Sequence, residues 1–415
     1  MPPSSSLSSF RASASPRILL LSPFLYGEGA ANGGAVLAFA QMKQLALDAE
    51  LAFLGFSGVD SPESEAAHRV SLARLCVSVA DVPLRIRRTD VLRARLGSVA
   101  LREPELAALC HTPDMVQALH QVVASFRPDV VWIQFPQMAQ YVAMCDGIPC
   151  VMDVQDAYTL SGFRQAQRRP GWAGVRGWLD WVCWARYEAR HYARFSSVLT
   201  LSDQDAQVLS GMNPAVPAVC VGLPLGSTGA SAVAAIAGRA GFAGSFGHRP
   251  NLEGLAWFLQ SVWPLVRAQR PASTFVVAGR NPPADLVASA GEGVEFAGFV
   301  PDIYDFYAAN AVTVVPLVSG GGVKIKTVEA MLAGSAVVST RIGIEGTDSR
   351  HGEHAMVHDD AAEFALAVVR VLDDDDLRSR LRAAALTHAQ ALFSTEAWRT
   401  RVLNVLQAAG ASRGH

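Results

Sequence analysis

The sequence predicts an α/β protein built from two doubly wound parallel sheets, and three observations carry that prediction. Short apolar runs recur along the chain, with helical patterns between them. The 415 residues are too many for one ordinary domain, and half of them are apolar, enough for more than one core. The pattern breaks at residues 221–237, which hold Gly, Ser, Ala and Pro with no aromatic side chain, and then restarts.

Residues 1–16 are rich in Ser, Ala and Pro and read as a disordered tail. The apolar run 18–21 is too short for a signal peptide and reads as part of a first strand, 17–22. Strands at 51–56, 130–135, 150–154 and 197–201 follow, giving an N-terminal domain over 17–222. A linker is expected over 223–239. Strands at 240–246, 274–278, 294–296, 312–316 and 336–340 then form a C-terminal domain over 240–393. Residues 394–415 read as a closing helix and tail, entered through cap-type residues at Ser394-Thr395-Glu396. The acidic stretch 373–376 precedes a Leu/Arg/Ala-rich helical pattern, so it reads as helix-start residues rather than a metal site.

Composition excludes several classes. With 17% charged residues and a net charge of −2, the chain has no general attraction to nucleic acid. Its six cysteines, Cys76, Cys110, Cys145, Cys150, Cys183 and Cys220, form no C-x-x-C pair, as expected of reduced core thiols in a cytoplasmic protein. No apolar run is long enough to span a bilayer.

The strongest local signal is Pro316-Leu-Val-Ser-Gly-Gly-Gly-Val-Lys-Ile-Lys-Thr-Val-Glu-Ala-Met-Leu-Ala-Gly334. A strand end, three glycines and a helix start let backbone approach a ligand closely and offer free N–H groups with a positive dipole end, which suits a diphosphate. Lys326 and Glu329 lie three apart and share a helix face; Lys324, two residues from Lys326, points elsewhere and is expected as a solvated charge. Lys326 is placed to meet phosphate, and Glu329, roughly 4.5 Å further along the axis, to accept from sugar hydroxyls. An ordinary strand–loop–helix with surface lysines is the plainer reading, and Glu329 within an apolar stretch argues against it.

This segment resembles the nucleotide-sugar signature of the retaining GT-B glycosyltransferases of group 1, the family 4-like bacterial sugar transferases. The likeness extends to Phe246-Gly-His-Arg-Pro-Asn251, Val276-Val-Ala-Gly-Arg280, Phe296-Ala-Gly-Phe-Val-Pro-Asp302 and Ala336-Val-Val-Ser-Thr340, in the family's order. It implies two Rossmann-like domains facing across a cleft, a donor held by the C-terminal half, and retention of configuration. The final glutamate of the family's Glu-x7-Glu motif, which binds the nucleotide ribose, falls on Glu329, and the earlier one falls on Gly321. Gly321 and Gly322 are expected at the phosphates, Gly247 and His248 at the phosphate side, and Phe299 and Val300 at the nucleobase.

In the first half, Gly33 and Gly34 end a G-x-G-x-x-x-G stretch that the resemblance places near the donor phosphate; a plain strand-to-helix turn explains it as well. Cys150-Val-Met-Asp-Val-Gln-Asp156 is a strand with polar residues at its carboxyl end. The family often has His-Asp where Gln155-Asp156 stands, and Gln is no base. Asp153 or Asp156 is therefore the candidate to orient or deprotonate an acceptor hydroxyl, against a loop-capping role. Catalysis is assigned to Asp153, Asp156 and Lys326.

Residues 172–195 interleave Trp172, Trp178, Trp181, Trp184 and Tyr187 with arginines, and Arg164, Arg168 and Arg169 precede them. That suits an interfacial membrane helix, or a packed helix with an arginine-rich outer face. The expected function is sugar transfer from a nucleotide sugar to a hydroxyl of a glycan or lipid-linked glycan, in cell-surface polysaccharide or glycoconjugate synthesis. The expected location is cytoplasmic, with peripheral contact at the inner membrane. No cofactor, no metal and no nucleic-acid partner are expected, the nucleotide sugar being a substrate. Rival readings are an epimerase or phosphorylase on the same fold, a non-catalytic nucleotide-sugar-binding protein, and an NAD-dependent oxidoreductase, which the glycine spacing counts against.

Overall fold

The computed structural model describes residues 15–30, 33–100, 102–168, 171–226 and 233–411, so nearly all of the expected N-terminal tail lies outside the described residues. The chain forms two compact units, Met1–Pro224 with Trp398–His415, and Leu225–Ala397.

The first unit is built on β1 (Arg17–Ser22), β2 (Glu50–Ser57), β3 (Ser78–Pro83), β4 (Val130–Gln134), β5 (Cys150–Asp153), β6 (Ser197–Thr200) and β7 (Ala218–Cys220). They form one sheet in the order β3-β2-β1-β4-β5-β6-β7, every pair parallel. Strand β1 shows why its sequence is apolar throughout. Ile18 and Leu20 enter a core with Phe39, Met42 and Trp132, while Leu19 and Leu21 enter another with Met115, Leu119 and Ile133. A strand with helices on both faces has no polar side to show. Strands β3 and β7 were not anticipated. They are edge strands, mostly half-exposed, and carry no apolar run.

The sequence separates the closing helix Thr395–Ala411 from both domains, and the structure does not. Its Trp398, Val402 and Leu406 are buried in the core of Ile18 and Leu20, and Arg399 forks onto Asp48 at 2.8 and 2.9 Å. The chain thus returns to its first unit, because an apolar face carrying a wholly buried Trp needs a partner surface.

The second unit holds β8 (Ile236–Ala243), β9 (Thr274–Ala278), β10 (Val294–Gly298), β11 (Asn310–Val315), β12 (Val337–Ser339) and β13 (Met356–Val357), parallel and in the order β10-β9-β8-β11-β12-β13. Strand β8 begins at residue 236 rather than 240 and stops before Gly244, so Phe246 joins the core from a loop. The acidic stretch behaves as expected: Asp374 caps the helix Asp375–Phe393, accepting from Leu377 N at 2.8 Å. Among the described residues, no helix is long and apolar enough to cross a membrane.

In each sheet the strand order reverses once, between β1 and β4 and between β8 and β11. At such a reversal the connections leave on opposite faces, which opens a crevice at the carboxyl ends of the two strands.

Candidate functional site

In the second unit, the loops after β8 and β11 bring the expected donor residues to that crevice. Gly320 and Gly322 have φ of 110° and 68°, values that only glycine adopts easily, so the chain turns tightly into the helix Ile325–Leu332. Lys326 reaches back from the helix start. Its Nζ donates to Ala243 O at 2.9 Å and to Asn251 Oδ1 at 2.6 Å, and lies 4.4 Å from the centre of the Phe242 ring. A Cβ on Gly244 would sit 2.9 Å from that ammonium, so the residue after β8 must be glycine for the lysine to pass. An ammonium has three donors; two serve the protein and one remains for a ligand oxygen.

Glu329 stands one turn on, within reach of Tyr307 Oη at 3.5 Å. Burial pushes its carboxyl up to about 7, the Lys326 charge pulling the other way. Burial pushes Lys326 down to about 7, opposed by Glu329 and reinforced by Lys324. Both groups are therefore poised to change charge when an anion or a hydroxyl-bearing ligand arrives.

Lys324 corrects the sequence reading. It is 7% exposed, not solvated, and donates to the carbonyls of Gly321 at 2.9 Å and Gly322 at 2.6 Å, with Glu345 3.5 Å away. It fixes the glycine loop while Lys326 faces the crevice. Two side chains on adjacent faces of one turn thus divide structural from ligand-facing work.

The remaining expected donor residues line the same end of the sheet. Gly247 and His248 are exposed in the loop before the helix Arg249–Trp257. Glu253 of that helix pairs with Arg249 at 2.6 Å and accepts from Ser319 Oγ, joining the two loops. Phe299 is 60% exposed, with the Arg280 guanidinium 4.1 Å from its ring centre, and Val300 is half-buried beside it. Gly298 bends the strand end at φ 67° and accepts from Gly279 N at 2.8 Å. Asn251, Tyr307 and Arg280 were not singled out from sequence. Asn251 and Arg280 did leave a signal, since each closes one of the segments that carry the resemblance, whereas Tyr307 lies in none of them.

In the first unit, Gly33 is open to solvent at the start of the helix Gly33–Leu45. Gly34 packs so closely that a Cβ would lie 2.9 Å from the Phe135 ring and 3.1 Å from Gln155 Oε1. Gly34 therefore has a packing reason to be glycine. The two aspartates separate. Asp153 is wholly buried, and burial raises its carboxyl to about 6 while Gln155, Gln41, Trp132 and Gln134 lower it. It has no surface with which to meet an acceptor. Gln155 takes φ 58°, a left-handed turn, and Asp156 beyond it lines a cavity of about 890 Å³ with Tyr158, Trp184 and Arg176.

That cavity's wall is tied by Glu188, which sequence did not reveal. Wholly buried, it accepts from Tyr158 N at 2.9 Å, from Thr159 N at 3.0 Å and from Thr159 Oγ1, fastening the start of the helix Tyr158–Arg168 to the helix Gly171–Tyr192. Burial raises it to about 7 against those hydrogen bonds. In the longer helix the aromatic residues divide. Trp184 and Tyr187 are buried, Trp181 donates to Thr159 O at 2.8 Å, and Trp178 is 38% exposed. The side chains of Arg164, Arg168 and Trp172, and all of Arg169, lie outside the described residues.

Residues 237–374 match the family model described as Glycosyl transferases group 1. A curated relative, an uncharacterized 44.6 kDa protein in the cps region of Klebsiella pneumoniae, is 32% identical over 128 residues, 29% of this chain and 33% of that protein. The match therefore spans about a third of the relative's length. Among solved structures, sucrose-phosphate synthase of Thermosynechococcus elongatus superposes with a TM-score of 0.64 at 16% identity, over 96% of this chain and all of that one. HepE of Anabaena in complex with UDP and glucose gives 0.61 at 16% identity, over 94% and 99%. At such identities the likeness speaks for the fold. Residues 237–374, within the second unit, are thus similar to the glycosyl transferases group 1 model, and the chain as a whole shares the two-domain GT-B fold of these solved structures.

Proposed function

We propose that the protein transfers a glycosyl group from a nucleotide diphosphate sugar to a hydroxyl of a glycan or lipid-linked glycan, with retention of configuration. The observation that carries this reading is the crevice between β8 and β11, where Lys326, with a donor to spare, and Glu329 share one helix face beside the 320–322 glycine loop. Lys326 and the helix dipole stabilise the leaving diphosphate, the change of charge that matters most in the transition state. Glu329 accepts from the ribose, and Phe299 with Val300 bounds the base. UDP is the first nucleotide to test, since HepE is solved with it. On the acceptor side Asp156 takes the role of orienting the hydroxyl, since it borders a cavity and Asp153 does not.

A place in cell-surface polysaccharide synthesis accords with the cps-region relative. The same reading has the protein in the cytoplasm, touching the membrane peripherally at the Trp178 side of the helix Gly171–Tyr192. The decisive experiment incubates the full chain with a panel of nucleotide sugars and follows nucleotide release with and without glycan acceptors, alongside thermal shift. Acceptor-dependent release and a product of retained configuration are expected. Release or rearrangement independent of any acceptor, or no stabilisation by any nucleotide sugar, would overturn the reading.

A further inference from the structure

The Lys326 ammonium is the group that the donor reading sets against the diphosphate, and its side-chain acceptor belongs to another helix. Asn251 stands in the first turn of the helix Arg249–Trp257, 75 residues before the lysine, and is 6% exposed. Its Oδ1 accepts from Lys326 Nζ at 2.6 Å, and its Nδ2 donates to Ser245 O at 2.9 Å. These two partners fix which end of the amide is which, since an ammonium only donates and a carbonyl only accepts. The Asn251 N–H also donates to His248 O at 3.0 Å. One residue thus holds the 244–248 loop at two points and the lysine at a third. A Cβ on Gly244 would lie 2.9 Å from both Asn251 Nδ2 and Lys326 Nζ, so the amide and the ammonium pack directly against the end of β8.

The acceptor that Asn251 offers is neutral. The charged groups that act on Lys326 are Glu329 and Lys324, the first on its own helix and the second at that helix's cap. Strand β8 and the helix Arg249–Trp257 present Ala243 O, the Phe242 ring and Asn251 to it, none of them charged. A carboxylate at position 251 would cancel the lysine's charge and lose the bond to Ser245 O. An apolar side chain there would leave a half-buried ammonium with one acceptor fewer. An amide holds the ammonium in place and leaves its charge for a ligand.

We propose that Asn251 is a positioning residue of the donor site: it points the Lys326 ammonium at the diphosphate without neutralising it, and ties that ammonium to the 244–248 loop, so that loop and lysine form one phosphate cradle. The inference rests on the donor reading.

Asn251→Leu and Asn251→Asp test it in the full chain, with circular dichroism reporting the fold and Asn251→Ser replacing the leucine variant if that does not fold. Two profiles are measured from pH 6 to 9.5: the rate of Lys326 acetylation by acetic anhydride, read by mass spectrometry, and UDP affinity by calorimetry. The titration of UDP itself is common to all the proteins. Asn251→Asp should move both midpoints up by about one unit or more, with UDP bound about tenfold more weakly at pH 6.5. Asn251→Leu should move both midpoints down, with UDP affinity at pH 7.5 falling roughly tenfold. A residue that merely packs would lower affinity by the same factor at every pH and leave the acetylation midpoint where the wild type has it. Midpoints that coincide across the proteins in either profile, or Asn251→Asp binding UDP as tightly as the wild type at pH 6.5, overturn the assignment of Asn251 and leave the donor reading standing. Absence of UDP binding by the wild-type chain overturns the donor reading, and this inference with it.

Discussion

Glu329→Gln separates the function of the donor site from its stability. In the free protein burial lifts Glu329 from 4.5 to about 7. An acid whose folded value lies above its unfolded one costs stability as pH rises between the two: nothing below 4.5, the full amount above 7. The shift amounts to about 3 kcal/mol at 1.36 kcal/mol per unit. Some of this is returned, because Lys326 loses a neighbour that favours its charged form. The Tyr307 contact is long, at 3.5 Å, and glutamine keeps an acceptor there. The variant should therefore be about 2–3 kcal/mol more stable than wild type at pH 8, which for a unit of this size corresponds to roughly 5–10 °C in midpoint. The advantage should vanish by pH 4.5. UDP affinity should move the opposite way, falling by about tenfold to a hundredfold as a charged acceptor for ribose hydroxyls is lost. Thermal melts of the full chain at pH 4.5 and 8, with and without UDP, measure all of this. A variant no more stable at pH 8, or one that binds UDP as well as the wild type, would refute the argument.

Four further outcomes are expected. Lys326→Ala should weaken UDP binding by at least about tenfold. In the wild type the affinity should decline above pH 7, by up to about tenfold per unit, as the free lysine loses the proton that phosphate requires; titrations from pH 6 to 9 check both. Gly244→Ala places a methyl 2.9 Å from the ammonium and should impair UDP binding with little loss of folded protein by circular dichroism, since the side chain yields more readily than the sheet. Glu188→Ala should destabilise the first unit by roughly 3–5 kcal/mol by leaving buried N–H groups unpaired, and Glu188→Gln by less, as followed by urea unfolding.

What the sequence determined alone lies within short windows. Apolar runs mark β1, β2, β4 and β9 because strands covered on both faces cannot afford polar residues, whereas β3, β7 and β13 lie at or next to sheet edges and leave no such run. The strand, glycine loop and helix of 316–334 were legible for the same reason. Three-residue spacing on a helix is enough to place Lys326 and Glu329 together, whatever the rest of the chain does. The tertiary structure decided everything that depends on distant partners and on water. Lys326 finds its acceptors 75 and 83 residues away, and Lys324 meets Glu345 across 21. Asp153 and Asp156, three residues apart at one strand end, differ because the sheet covers one and a turn at Gln155 carries the other to a cavity. The last helix joins the first unit because its apolar face matches a surface built some 350 residues earlier, the Arg399–Asp48 pair spanning 351. Burial and charge state are properties of the assembled surroundings, and no local pattern encodes which surroundings a side chain will have.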